Sequence, residues 1–276
     1  MIGGRTRIAG VIGTPVAHSL SPLLMNSWIA TAGLDAAYLP FPAGNDITAA
    51  TFREMSKTGL SGLNVTLPFK TLAADVADSC SVGVKMTGAA NLLVFGDGKI
   101  DARNTDIDGI FHALTEAGQS FTGKSVLVLG AGGVARAACA AACLGEASEL
   151  VIANRTKAHA DKLAAEFKAS SVSWGERQNV AETANVIINA TSLGMNGHSG
   201  PGIDFTGCLT GAVAFDTVYT PIRRPFTETA RAAGLVVIDG LSMLIGQARP
   251  SFEALFEAPV PNTIDADRLL GKALGG

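Results

Sequence analysis

The residues of this 276-residue sequence that could do chemistry are a glycine string, an arginine past the following strand and three polar clusters. The glycine string lies in KSVLVLGAGGVARAA and fits G-x-G-x-x-A, with Gly130, Gly132 and Ala135 at the spaced positions. The first glycine of such a string permits a tight turn, and the second lets backbone approach a pyrophosphate. The third small residue lets helix pack on strand, and the helix N-terminus faces the phosphates. Here the string follows an apolar strand pattern, Ser125–Leu129, and opens a helix, which is the setting the motif requires. NAD-binding units place an acid about 20 residues further on. This chain instead reads VIANRT, with Asn154, Arg155 and Thr156 after the second strand, and Glu149 at that strand's wrong end. A guanidinium and a hydroxyl there suit a 2′-phosphate, so the pattern favours NADP over NAD.

The polar clusters are AHSLSP (17–22), GLNVTLPFK (62–70) and ARNTDIDG (102–109). Each falls at the end of a predicted strand, where open α/β sheets place ligands. Taken singly they are ordinary: a capped helix, a strand-end turn, a domain linker. A lone lysine after Pro-Phe is more often a surface residue than a chemical one.

The elements that must position these residues alternate between short apolar runs and helix-like stretches, which argues for an α/β fold. Strands are expected at Ile8–Ile12, Ala37–Phe41, Ser61–Val65, Asn91–Phe95, Ser125–Leu129, Leu150–Ala153, Asn185–Asn189, Ala212–Asp216 and Leu235–Ile238. Gly96-Asp97-Gly98 signals a hairpin leading into Lys99–Ala102. Ser21-Pro22 reads as an N-cap followed by proline at the first helical position. Further helices are expected at Asp106–Gly118, Leu241–Phe256 and Asp265–Leu274. The length suggests two domains, with a first domain over 1–105, a nucleotide-binding domain over 106–241, and residues 242–276 returning to the first.

Composition removes several classes of function. Hydrophobic residues make up 47% of the chain, and 44 Ala and 32 Gly suit closely packed helices and tight turns rather than disorder. A net charge of -3 gives no electrostatic footprint for nucleic acid. The most apolar stretch, residues 126–145, is interrupted by Gly130, Gly132, Gly133 and Arg136, so no membrane span is expected. The N-terminus lacks the apolar core of a signal peptide. The four cysteines show no metal-ligand spacing, and Cys139 and Cys143 read as small core residues of one helix. A reducing cytoplasm, no metal and no membrane are the expectations.

In their order along the chain, HSLSP, NVTLPFK, GAAN, NTD, GAGG, NRT, NATSLGM and DGLSMLIGQA make the sequence resemble the shikimate dehydrogenases over essentially its whole length. The resemblance implies an N-terminal α/β substrate domain, a Rossmann-type NADP-binding domain and a cleft between them. It implies an oxidoreductase of aromatic amino acid biosynthesis that reduces 3-dehydroshikimate to shikimate with NADPH. By position it assigns Ser19 and Ser21 to the substrate carboxylate, and Asn64, Thr66, Lys70, Asn91, Asp106, Tyr219 and Gln247 to the rest of the substrate. Lys70 and Asp106 become the catalytic pair, and hinge motion around the domain crossings is implied. Gly130, Ala131, Gly132, Gly133, Val134, Asn154, Arg155, Thr156, Thr217, Gly240 and Met243 fall at positions lining NADP(H).

Three departures from the family pattern stand out: Leu92 where a threonine is usual, Met25 where a histidine is usual, and only Lys157 and His159 as a second basic residue after NRT. The partner implied is a small molecule, and the chain is expected to be a monomer or homodimer. Rival readings are a quinate/shikimate dehydrogenase with NAD or dual cofactor use, a non-catalytic NADP-binding regulator, and a tRNA-linked reductase. The acidic composition and the HSLSP and NVTLPFK loops speak against the last.

Overall fold

The structure is a computed structural model that describes residues 2–44 and 46–275. The chain divides into two compact units, Met1–Asp108 with Leu244–Ala273, and Gly109–Met243 with Leu274–Gly276. The crossings at Asp108–Gly109 and Met243–Leu244 fall inside helices rather than in loops.

The first unit carries strands β1 (Arg7–Gly13), β2 (Ala36–Pro42), β3 (Leu60–Val65), β4 (Ser79–Cys80), β5 (Leu92–Gly96) and β6 (Lys99–Arg103). They form one sheet in the order β2-β1-β3-β5-β6-β4. β1 runs parallel to β2 and β3, whereas β5 is antiparallel to both its neighbours. Helices α1 (Ser21–Thr31), α2 (Ala49–Met55), α3 (Lys70–Asp75) and α4 (Val82–Thr87) connect them, and α5 (Asp106–Glu116) leads out of the unit. Phe52, Leu63, Leu93, Ile100 and Ala102 are fully buried in its core. The Asp97-Gly98 turn joins β5 to β6 with positive φ at both residues, as a two-residue hairpin requires.

This topology gathers four chain segments at one edge of the sheet. β1 and β3 end there, with Ile12 opposite Val65. Because β5 is antiparallel, it begins at the same edge, with Leu92 opposite Asn64. β6 ends there too, since Leu92 also faces Arg103. The three polar clusters and Asn91 therefore share an edge, although 89 residues separate the first cluster's Ala17 from Asp106 in the chain.

The second unit carries β7 (Ser125–Leu129), β8 (Glu149–Asn154), β9 (Ser170–Ser173), β10 (Val186–Asn189), β11 (Val213–Asp216) and β12 (Val236–Ile238). They form an all-parallel sheet in the order β12-β11-β10-β7-β8-β9, the doubly wound arrangement with its switch point between β7 and β10. Helices α6 (Gly133–Leu144), α7 (Lys157–Phe167), α8 (Arg177–Ala181) and α9 (Pro225–Ala232) join them. The long α10 (Gly240–Phe256) starts in this unit and passes into the first at Leu244, and α11 (Ala266–Ala273) follows. Among the described residues no helix is long and apolar enough to cross a membrane.

Four expectations are corrected. Ser21 is the first residue of α1 rather than its cap: Leu20 takes the cap position, and Ser21 N–H donates to Ser19 Oγ at 3.3 Å. α5 ends at Glu116, because Gly118 adopts a positive φ and closes the turn. Cys143 is exposed near the end of α6, so only Cys139 belongs to the core. β4 and β9 have no counterpart among the predicted strands. β4 is two residues long, and β9 is a serine-rich strand at the sheet's edge without apolar alternation.

Candidate active site

At the gathered edge of the first unit, Lys70 and Asp106 form a buried ion pair, Nζ to Oδ2 at 2.5 Å, with the two residues 9% and 6% exposed. Lys70 is placed by α3, of which it is the first residue, and its carbonyl accepts from Ala90 N–H at 2.8 Å. Asp106 is placed by the turn after β6, where Asn104 Oδ1 accepts its N–H at 3.1 Å. Asn104 is itself fixed, donating to Thr87 Oγ1 and to the Ala89 carbonyl. Partial desolvation, reinforced by the charge on Asp106, pushes the carboxyl of the otherwise exposed Asp108 up.

Asn91 organises the pair. Its Oδ1 accepts from Thr105 N–H at 2.7 Å; that donor fixes which way the amide points. The Nδ2 group then donates to Asp106 Oδ1 at 2.9 Å, with Thr105 Oγ1 at 3.0 Å and Gln247 Oε1 at 3.3 Å also within reach. Asn64 is fixed in the same way. Its Nδ2 donates to the Asn91 carbonyl at 3.1 Å and to Ser251 Oγ at 2.9 Å, while Tyr38 donates its hydroxyl to Oδ1 at 2.8 Å. Both asparagines have their amide hydrogens committed to protein acceptors. Tyr38 is fully buried, and that burial pushes its phenol up, so it stays a neutral donor.

The remaining donors are uncommitted. Lys70 Nζ meets one acceptor and keeps two hydrogens. Among the described residues the hydroxyl hydrogens of Ser19, Ser21 and Thr66, and the Gln247 amide nitrogen, have no acceptor. Ser19 and Thr66 lie in the loops after β1 and β3, and Ser21 opens α1 beside Ser19; the two loops are tied together by Thr14 N–H donating to the Leu67 carbonyl at 3.0 Å. Among the described residues no hydrogen bond joins these three to the Asn91 network. Thr105, Ser251 and Tyr38 are network members that the sequence reading did not assign. Thr105 sits inside the NTD motif and Ser251 one helical turn beyond Gln247, so both had a local signal; Tyr38 had none.

The second unit brings its assigned residues to the C-terminal edge of its own sheet. Gly130 follows β7 with φ +119°, and a Cβ there would lie 2.8 Å from the Ala190 carbonyl oxygen. Only glycine lets the turn pass so close to the loop after β10. Ala131 and Gly132 follow, Gly133 and Val134 begin α6, and apart from Gly132 and its chain neighbours no atom of the described residues lies within 4 Å of where a Cβ on Gly132 would sit. That open space at the N-terminus of a 12-residue helix fits a pyrophosphate. At the end of β8, Asn154 Nδ2 donates to the Thr156 carbonyl at 2.9 Å. Arg155 is exposed, with no hydrogen bond or ion pair to any described residue. Lys157 is engaged with Asp161 at 2.5 Å, while His159 is exposed. Thr217 Oγ1 donates to the Asn189 carbonyl at 2.9 Å, and a Cβ on Gly240 would lie 2.4 Å from the Thr217 carbonyl oxygen. Met243 is buried and Tyr219 half-buried.

Comparison with known proteins gives this geometry a family. Residues 11–93 match the shikimate dehydrogenase substrate binding domain, and residues 112–195 match the shikimate / quinate 5-dehydrogenase family. A relative from Maricaulis maris, shikimate dehydrogenase (NADP+), is 42% identical over 99% of this chain and 98% of its own.

The chain belongs to the shikimate dehydrogenase family.

A second member of the family, from Caulobacter vibrioides, bears the same name and is 45% identical over 99% of this chain and 98% of its own. The family fold is also matched by the crystal structure of shikimate 5-dehydrogenase from Thermus thermophilus in complex with NADP(H) and shikimate. It is 30% identical, covers 97% of this chain and 100% of its own, and has a TM-score of 0.87. The first family match spans the HSLSP and NVTLPFK segments with Lys70; the second spans the glycine string and the NRT turn.

Proposed function

We propose that the chain catalyses the reversible reduction of 3-dehydroshikimate to shikimate with NADPH, a step of aromatic amino acid biosynthesis. The observation that carries this reading is the buried Lys70–Asp106 pair held by Asn91. When bound, the nicotinamide cofactor supplies the hydride. Lys70 Nζ directs one of its two uncommitted hydrogens at the ring ketone oxygen, stabilises the charge that develops there and gives up the proton. Asp106 holds the ammonium in place, and its remaining lone pairs accept from a neighbouring substrate hydroxyl.

The free hydroxyl hydrogens of Ser19 and Ser21 suit a substrate carboxylate. Thr66 and the Gln247 amide nitrogen are free to donate to the ring hydroxyls, and Tyr219 is assigned to the substrate from the second unit. Asn64 and Asn91 shape the site mainly by holding their neighbours, because their amide hydrogens are already committed.

On the cofactor side, Gly130, Ala131, Gly132, Gly133 and Val134 take the pyrophosphate, Asn154, Arg155 and Thr156 the 2′-phosphate end, and Thr217, Gly240 and Met243 the nicotinamide end. The uncommitted guanidinium of Arg155, with no carboxylate at the end of β8, supports NADP as the cofactor. Four free cysteines support a reducing cytoplasm as the place of work. The scheme draws on one chain alone, so either a monomer or a homodimer serves it.

Initial rates of nicotinamide reduction test the reading, with shikimate or quinate offered together with NADP+ or NAD+. Shikimate with NADP+ is expected to give the highest kcat/KM. No oxidation of shikimate with either cofactor overturns the proposal, and preference for NAD+ overturns the part assigned to Arg155.

A further inference from the structure

In the second unit, two irregular segments follow β10 and β11 at the edge that carries Gly130 and Thr217. Residues 217–224 form no helix or strand, so side chains rather than a ladder must fix their backbone. One buried carboxylate does so. Asp216, 0% exposed, ends β11, and its Oδ2 accepts from Nε of Arg224, 2% exposed, at 2.7 Å. Arg224 Nη1 donates onward to the carbonyls of Pro221 at 2.5 Å and Ile222 at 3.1 Å. The other carboxylate oxygen of Asp216 accepts from Val218 N–H at 3.2 Å and from Asn189 Nδ2 at 2.9 Å.

Asn189 extends the same set into the neighbouring segment. Its Nδ2 also reaches the Leu193 carbonyl at 3.1 Å, and its Oδ1 accepts from Thr191 Oγ1 at 2.7 Å. Asn196 N–H closes the two segments on each other by donating to the Thr220 carbonyl at 3.2 Å. Thr217 and Tyr219 thus lie between the two anchors of one buried ion pair.

Burying an ion pair gives little net stability and often loses to an apolar pair of similar volume. Stability is therefore a weak reason for this one, whereas its geometry is specific. The fork of Arg224 bridges a strand end and two loop carbonyls at once, which an apolar side chain could not do.

We propose that Asp216 and Arg224 are positioning residues that set the 217–224 segment for the nicotinamide half of the cofactor. The proposal rests on the assignment of Thr217 to that half.

The test compares NADP+ with 2′,5′-ADP, a fragment that keeps the 2′-phosphate and the adenosine but lacks the nicotinamide. Dissociation constants for both are measured by calorimetry on the wild-type chain, Asp216→Asn and Arg224→Lys. Asp216→Asn keeps the shape and loses the charge; Arg224→Lys keeps the charge and loses the fork. In either variant that folds, NADP+ is expected to bind about tenfold more weakly, the scale of losing a hydrogen bond to a charged group. The 2′,5′-ADP constant is expected to stay within about twofold, and turnover to fall along with NADP+ binding. A merely structural role would weaken both ligands alike, and that outcome overturns the proposal. Wild-type affinity for NADP+ in both variants overturns it as well. Failure of the functional reading would show separately, as a wild-type chain that binds NADP+ without oxidising shikimate.

Discussion

The substrate edge of the first unit and the glycine turn of the second are built on opposite plans. In the first unit, the site is joined side chain to side chain: Tyr38, Asn64, Ser251, Thr105, Asn91, Asp106 and Lys70 form one buried hydrogen-bonded run. In the second unit, the glycine turn is shaped by backbone, and the residue assigned to the 2′-phosphate stands exposed with no partner among the described residues. The difference follows from what each edge must recognise. A small polyhydroxylated ring is told from its isomers by the direction of each donor and acceptor, so its donors must be fixed before it arrives. A pyrophosphate is recognised by close backbone approach and a helix terminus, which needs empty space more than side chains.

The contrast predicts different failures at the two edges. The largest effect is expected for Lys70→Ala. It removes the proton-handling group, so turnover should fall about 10²–10⁴-fold while the dissociation constant of NADP+ stays at the wild-type value; turnover near wild type would remove Lys70 from catalysis. Gly130→Ala should do the reverse. Its Cβ would meet the Ala190 carbonyl oxygen at a φ of +119°, a strain of about 1–3 kcal/mol. NADP+ binding should weaken about tenfold or more with shikimate KM unchanged, and unchanged cofactor affinity would show that the turn is not part of the site.

Smaller effects sharpen the comparison within each edge. Arg155→Ala should weaken NADP+ by about tenfold and leave NAD+ unaffected; equal losses for the two cofactors would deny it the 2′-phosphate. Ser19→Ala should raise the KM for shikimate a few-fold with kcat nearly kept, and steady-state kinetics showing an unchanged KM would take Ser19 out of carboxylate binding. The smallest effect lies outside both edges. Arg53 and the Ile100 N–H hold the Asp78 carboxyl down at about 2. A lowered folded value stabilises above the unfolded value and is lost as pH falls through the folded one. Thermal melts of Asp78→Asn should therefore run slightly below wild type at neutral pH, and the gap should close between about pH 4 and about 2. A gap that persists through that range would contradict the assignment.

How much of this was legible in the sequence depended on whether the signal was local. The glycine string, the Asp97-Gly98 hairpin and the alternating strands carry their reasons in adjacent residues, and the doubly wound sheet follows from them. Ser21 misled because Ser-Pro is a common helix opening, yet the serine two residues earlier accepts its N–H. β4 exists only because Ser79 and Cys80 pair with Asp101 and Ala102, a contact that two residues cannot announce. The role of Tyr38 was illegible for the same reason: its partner Asn64 lies 26 positions away, on a strand two places across the sheet. Family motifs named Asn64, Lys70, Asn91 and Asp106, but only the fold showed that the two asparagines have their amide hydrogens committed and that Lys70 keeps two of its own.

The central claim is that shikimate is held and turned over against the Lys70–Asp106 pair. A crystal structure of the chain soaked with shikimate tests it most directly. The account predicts the ring hydroxyls within hydrogen-bond distance of Lys70 Nζ and the Asp106 carboxylate, with the carboxylate on Ser19 and Ser21 and the Asn91 network intact. Shikimate bound elsewhere on the chain, with Lys70 and Asp106 touching only each other, would contradict it.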